Sequence, residues 1–180
     1  MLNAFIRQSH HVSMANYIFP VNGHGLVRTV GNTDAFRTPL YYVFQLYREH
    51  MTGKRIDVKA DGPGVNAATL DFSIQGDASE MDLGNQILPY IDAAAVVTTD
   101  GTLNVAFSNR SPDTMQKVRL ALPDGYVPIR KWEISHPDIN AFNSPEARFA
   151  IIPREEALTR KQTQFEVPPC GWMLIQLKMN

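Results

Sequence analysis

The spacing of apolar residues changes character once along this chain, at Gly53. Before it, apolar positions fall at helical spacing; after it, they alternate with polar ones. Leu2, Phe5 and Ile6 share a helical stripe, and the run to Gln8 predicts the end of a helix whose capped beginning is missing. Val12 to Tyr17 alternates in the manner of a short strand, with a helical turn as the other reading. Pro20, Gly23, Gly25 and Gly31 then predict an irregular loop around an extended "GLVRTV" piece. The next helix has the clearest signals. Thr38 suits the N-cap and Pro39 the first turn; Leu40, Val43, Phe44, Tyr47 and Met51 form an apolar stripe, and Gly53 is placed to stop it. His50 and Lys54 put positive charge near the negative end of the helix dipole. A helix end followed by strand, loop and helix is the repeating unit of an α/β barrel, and one unit cannot close a barrel. Residues 1–53 are therefore expected to be the remnant of a (β/α)8 barrel end, and the chain to be the tail of something larger.

Residues 54–180 predict a β-domain. Two apolar runs, Ile91–Thr99 and Thr102–Asn109, flank Asp100-Gly101, a dipeptide suited to a type I′ hairpin turn. Further strands are expected at Arg55–Val58, Phe72–Ile74, Met115–Leu122, Ile129–Ile134, Arg148–Ile152, Thr163–Val167 and Trp172–Lys178. The separators between them are rich in Pro, Asp, Asn and Gly. Short strands joined by turns define a mainly β, jelly-roll-like antiparallel sandwich, and about 125 residues suffice to bury its core.

Composition narrows the picture. A net charge of −1 argues against a polybasic nucleic-acid surface, and no apolar run reaches the roughly 18 residues of a membrane span. The single cysteine, Cys170, cannot form an internal disulfide and reads as a small buried hydrophobe. No metal or other cofactor is expected. His10 and His11 are adjacent and so point apart, and His24 in its glycine-rich loop reads as solvent-exposed. Asp71, Asp77, Glu80 and Asp82 cluster as a calcium loop would, but without the EF-hand spacing. Asp34 and Glu49 are the sole carboxylates before residue 54; one suits a turn and the other a solvated helix face, so neither makes half of a glycosidase pair. Trp132 and Trp172, with Tyr90 and Tyr126, raise a carbohydrate-stacking face. Trp172 opens an apolar strand and reads as core, which leaves Trp132 as the stacking candidate.

The segments "LNAFIR" (2–7), "MANY" (14–17), "VN" (21–22), "GL" (25–26) and "RTPLYYVFQLYREHMTG" (37–53) resemble glycoside hydrolase family 51, the intracellular-type α-L-arabinofuranosidases. The "YIDAAAV…GTLNVAFSNRS" hairpin and the closing "VPPCGWMLIQL" extend the resemblance over nearly the whole chain. It implies a C-terminal β-sandwich that follows a catalytic barrel, with 2–8 ending the seventh barrel helix, Val12–Tyr17 the eighth strand and Thr38–Met51 the eighth helix. The family's two catalytic glutamates lie upstream of the matched segment, so no residue here inherits either role, and the chain alone is expected to be inactive. Tyr17, Phe19 and Asn22 would lie near substrate, at the catalytic face. Many relatives carry a sugar-contacting glutamine at the position of Phe19, so the phenylalanine removes that contact or marks a subgroup with a differently built pocket. The resemblance thus implies a cytoplasmic, non-catalytic portion of an enzyme of arabinose-containing carbohydrates, supporting its barrel; the alternative is a carbohydrate-binding module. Without barrel neighbours, both helices should fold onto the sandwich or drive self-association.

Overall fold

The computed structural model of the chain describes residues 1–66 and 86–180. Two helices, α1 (Leu2–Arg7) and α2 (Pro39–His50), flank a short hairpin of β1 (Val27–Val30) and β2 (Asp34–Arg37). The strands that follow are β3 (Lys54–Ile56), β4 (Gly64–Asn66), β5 (Ile87–Pro89), β6 (Ile91–Val97), β7 (Leu103–Asn109), β8 (Gln116–Arg119), β9 (Tyr126–Ile134), β10 (Arg154–Ala157), β11 (Gln164–Val167) and β12 (Trp172–Met179). Six of them form one antiparallel sheet in the order β10-β9-β12-β7-β6-β3. The pairs β8–β11 and β4–β5 form smaller antiparallel ladders.

The large sheet is covered on both faces, which explains why its central strands read as unbroken apolar runs. Ala93 and Ala95 of β6, Leu103, Val105 and Phe107 of β7, and Met173, Ile175 and Leu177 of β12 point to one side. There they meet Phe165 and Val167 of β11 and Val118 of β8, the second layer of the sandwich. The alternate residues Ala94, Val96, Ala106, Trp172 and Leu174, joined by Trp132 and Ile134, point to the other side. They pack against Tyr42, Leu46 and Met51, with Ile6 of α1 and Tyr47 of α2 beside them. Both helices therefore fold onto the sandwich.

Several expectations are corrected. Val12–Tyr17 is not a strand: alternation makes a strand only where a neighbour completes the ladder, and these residues have no strand partner among the described residues. His11 and Val12 instead donate their amides back to Gln8 O. The region read as loop contains the β1–β2 hairpin, whose second strand, "DAFR", is too polar to announce itself. The Asp100-Gly101 hairpin forms, but not through a type I′ turn. Gly101 alone has positive φ, at 80°. Gly101 N bonds to Thr98 O at 3.0 Å, Thr98 N to Thr102 O at 2.9 Å, and the Asp100 carboxylate accepts the Thr102 amide and both flanking threonine hydroxyls. Those side-chain bonds favour a three-residue loop over the two-residue one. Arg148–Ile152 is closed by the Asn143 side chain rather than by a strand. The edge strand is Arg154–Ala157, held to β9 by Lys131–Glu156 at 2.9 Å, Arg130–Glu155 at 2.8 Å and Arg154–Glu133 at 2.5 Å. On α2 the expected stripe is met in part: Met51 is buried and Val43 and Tyr47 pack against the same core, but the most buried helix positions are Tyr42 and Leu46, because this helix is apolar on nearly every side of its first two turns. The strand expected at Phe72–Ile74 lies outside the described residues.

Candidate functional site

The described residues divide into a seam, where the N-terminal segment grips the sheet, and an outward loop beside it. At the seam, the hydrogen bonds of α1 and α2 cross to the sandwich. Asn3, almost fully buried, donates to Asp92 O at 3.0 Å. Arg7 donates to Ala93 O at 2.6 Å and pairs with the Asp92 carboxylate at 2.7 Å, which Arg110 also meets at 2.7 Å. Tyr47 donates its hydroxyl to Asn3 Oδ1 and accepts from Trp172 Nε1 at 3.4 Å. Burial holds that phenol protonated by raising its pKa far above the ordinary range. Asn104 of β7, fully buried, donates to His50 O at 2.9 Å and so satisfies an end carbonyl of α2. His50 stacks on Trp132 at 4.3 Å between ring centroids. Gly53 passes so close to Val97 O that a Cβ there would sit 2.3 Å from it, which leaves room for glycine alone.

The outward loop carries the residues expected near substrate. Tyr17 donates its hydroxyl to His24 O at 2.6 Å, and its ring meets Phe44 edge-on at 5.1 Å. Asn22 is left-handed, with φ 58°, and its side-chain oxygen accepts Thr29 N at 2.9 Å while its amide donates to Thr29 Oγ1 at 3.0 Å. That pair staples the loop to β1. Phe19 is also left-handed, at φ 54°, and two-thirds exposed. Met14, Ile18 and Val21 are exposed with it, so the loop presents apolar side chains outward. Thr38 does not cap α2 with its side chain; its hydroxyl donates instead to Gly25 O and Leu26 O, each at 3.1 Å, tying the loop to the helix start.

A second loop, 136–153, is fastened beside the first. Asn143, 3 % exposed, donates to Arg37 O and Ile151 O, both at 3.0 Å, and accepts Ile151 N at 2.8 Å. Arg148 grips Asp34 in a two-armed ion pair, and that hydrogen bonding holds the Asp34 carboxyl below its usual range. Sequence reasoning missed both ties. Their partners are more than a hundred positions apart and no periodic pattern marks them.

Trp132 is buried between His50 and the sheet, with Nε1 donating to Glu155 at 3.1 Å, so it offers no open ring face on which a sugar could stack. Trp172 is core, as its strand pattern predicts. Tyr126 donates to Gly101 O at 3.1 Å. Glu49 accepts from Gln45 at 2.8 Å along the helix surface. Cys170 is not a buried hydrophobe: it is exposed, in a turn with φ 51°, where chain reversal before β12 decides its position. Asp71, Asp77, Glu80 and Asp82 lie outside the described residues. Among the described residues no three His, Cys, Asp or Glu side chains gather as a metal site, and no helix is long and apolar enough to cross a membrane.

Fold and seam together define an antiparallel β-sandwich domain with a helical flank built into one sheet face. Residues 1–170 match the family described as the α-L-arabinofuranosidase C-terminal domain, and the chain belongs to that family. A curated relative, the intracellular exo-α-L-arabinofuranosidase of Bacteroides ovatus, is 22% identical over an alignment 183 positions long that covers 98% of this chain and 32% of that protein. The solved GH51 arabinofuranosidase of Xanthomonas axonopodis pv. citri superposes with TM-score 0.78 at 19% identity, covering 98% of this chain and 33% of that one. The α-L-arabinofuranosidase of Thermotoga maritima, solved as an arabinose complex, gives 0.77 at 25% identity over 97% of this chain and 36% of that one. The chain thus spans about a third of the length of these relatives.

Proposed function

We propose that the chain serves as the non-catalytic C-terminal part of an α-L-arabinofuranosidase-like glycoside hydrolase of arabinose-containing carbohydrates, and that its task is to hold the end of a catalytic barrel. The seam carries this reading. Residues that would close such a barrel are locked to the sandwich by buried polar contacts through Asn3, Asn104 and Asp92, while Met14, Ile18, Phe19 and Val21 face away from it. A domain that only bound sugar would have no use for a helical flank so firmly attached. The barrel is the natural cover for the outward apolar loop, and its placement inside the cell follows the name of the Bacteroides ovatus relative.

The test is direct. The purified chain, incubated with an aryl α-L-arabinofuranoside, is expected to release no aglycone above the buffer rate. Turnover by the chain alone, abolished by substituting one of its own carboxylates, would overturn the proposal.

A further inference from the structure

The two fastened loops leave a shallow groove of about 230 Å³ between them, and nothing above assigns it a role. One wall is the β1–β2 hairpin with Asn22, Arg28 and Thr29; the other is the 136–153 loop with Phe142, Ser144 and Pro145. Phe142 is 70 % exposed on a loop that is otherwise pinned by buried hydrogen bonds. A rigid loop that holds a phenyl ring in water presents a binding face at no further ordering cost.

Beside Phe36 and Pro145, the lining carries polar groups that suit a sugar edge. Arg28 spends one donor on Gly23 O at 2.8 Å and makes no ion pair among the described residues, so its other N–H groups are available to hydroxyl oxygens. Ser144 Oγ accepts Ala147 N at 3.1 Å, which leaves its proton to donate. The Thr29 hydroxyl, which donates to Asn22 Oδ1 at 3.2 Å and accepts from Asn22 Nδ2 at 3.0 Å, keeps one lone pair to accept from a ligand. A ring for the apolar C–H face of a sugar, bordered by a guanidinium and hydroxyls for its edge, is the chemistry of saccharide recognition.

We infer that this groove is a saccharide subsite for an arabinose-containing chain, with Phe142 as its stacking platform and the Arg28 guanidinium as the donor to the sugar's hydroxyl oxygens. The inference rests on the proposed carbohydrate function, since that reading supplies the ligand class. It assigns sugar contact to the sandwich loop, on the same side of the molecule as Asn22.

The experiment titrates the full isotope-labelled chain with an arabinan trisaccharide and follows amide and side-chain NMR shifts. Saturable shifts are expected at Asn22, Arg28, Phe142 and Ser144. Phe142→Ala should weaken binding about tenfold, the scale of a lost aromatic contact. Phe149→Ala, an equally exposed phenylalanine of the same loop outside the groove lining, should leave binding unchanged. Absence of saturable shifts in a dispersed spectrum, shifts centred elsewhere, or equal losses in both variants would overturn the inference. None of these results depends on turnover. A failed titration beside an inactive chain would remove the subsite and leave the proposed function standing, whereas turnover by the chain would remove the function whatever the groove binds.

Discussion

Four buried polar residues, Asn3, Asp92, Asn104 and Asn143, hold the N-terminal segment to the sandwich. Asn143 makes three hydrogen bonds at 3 % exposure, so Asn143→Ala would strand the carbonyls of Arg37 and Ile151. A loss of about 2–4 kcal/mol in urea unfolding is expected, the range for unsatisfied buried groups plus the small cavity. His50 gives a pH signature. Burial beside Trp132 lowers its pKa from the ordinary 6.5, while Glu49 and Glu155 oppose the shift and Arg130 adds to it. The unfolded chain then takes up the proton more readily than the folded one. Stability from this group is complete above pH 6.5 and falls as pH drops through that value towards the folded pKa. Urea midpoints measured between pH 7.5 and 5 should show this decline, and His50→Leu should reduce its slope. The same scale explains what sequence alone left hidden. Asn143, Asn104 and Asp92 are polar residues in turn-like or apolar stretches, and pattern assigns such residues to the surface. Only the tertiary partner makes each one buried.

At the element scale, period and turn chemistry went far. The helix starting at Thr38 and the strands Ile91–Val97, Leu103–Asn109 and Trp172–Met179 were legible because helical spacing and apolar runs bounded by turns mark them. The strand reading of Val12–Tyr17 failed for a physical reason: a ladder needs a neighbour, and local alternation does not supply one. Arg154–Ala157, every residue of it exposed, was invisible because it has no apolar face: the backbone ladder to β9 holds it, with cross-strand ion pairs added. The 98–102 hairpin gives a test of the turn correction. Gly101 alone is left-handed, at φ 80°, so Gly101→Ala should cost about 1 kcal/mol. Asp100→Ala should also destabilise the hairpin by removing the acceptor for Thr102 N. A type I′ turn would instead place Asp100 at positive φ and make Asp100→Gly stabilising. Leu174→Ala, at the contact of β12 with α2, should cost about 2–5 kcal/mol through the cavity it leaves.

At the scale of the whole molecule, the flank and the sandwich share one core. The cluster that includes Tyr42, Leu46 and Met51 is the same cluster that includes Ala94, Ala106, Trp172 and Leu174. The outward loop is different: Met14, Ile18, Phe19 and Val21 remain in water. We therefore expect the isolated chain to self-associate weakly in sedimentation velocity, and a double Ile18→Ser, Phe19→Ser variant to do so less. The family resemblance and the sandwich were readable in the sequence; the locking of the helices was open between folding back and self-association. The central claim is that α1, α2 and the sheet unfold as one cooperative unit. Native-state hydrogen exchange measures this most directly. The account predicts that amides in the middle of α2 exchange with the same opening free energy as those of β7 and β12, and lose protection together with them in denaturant. Exchange of α2 within seconds while β7 and β12 stay protected would contradict it.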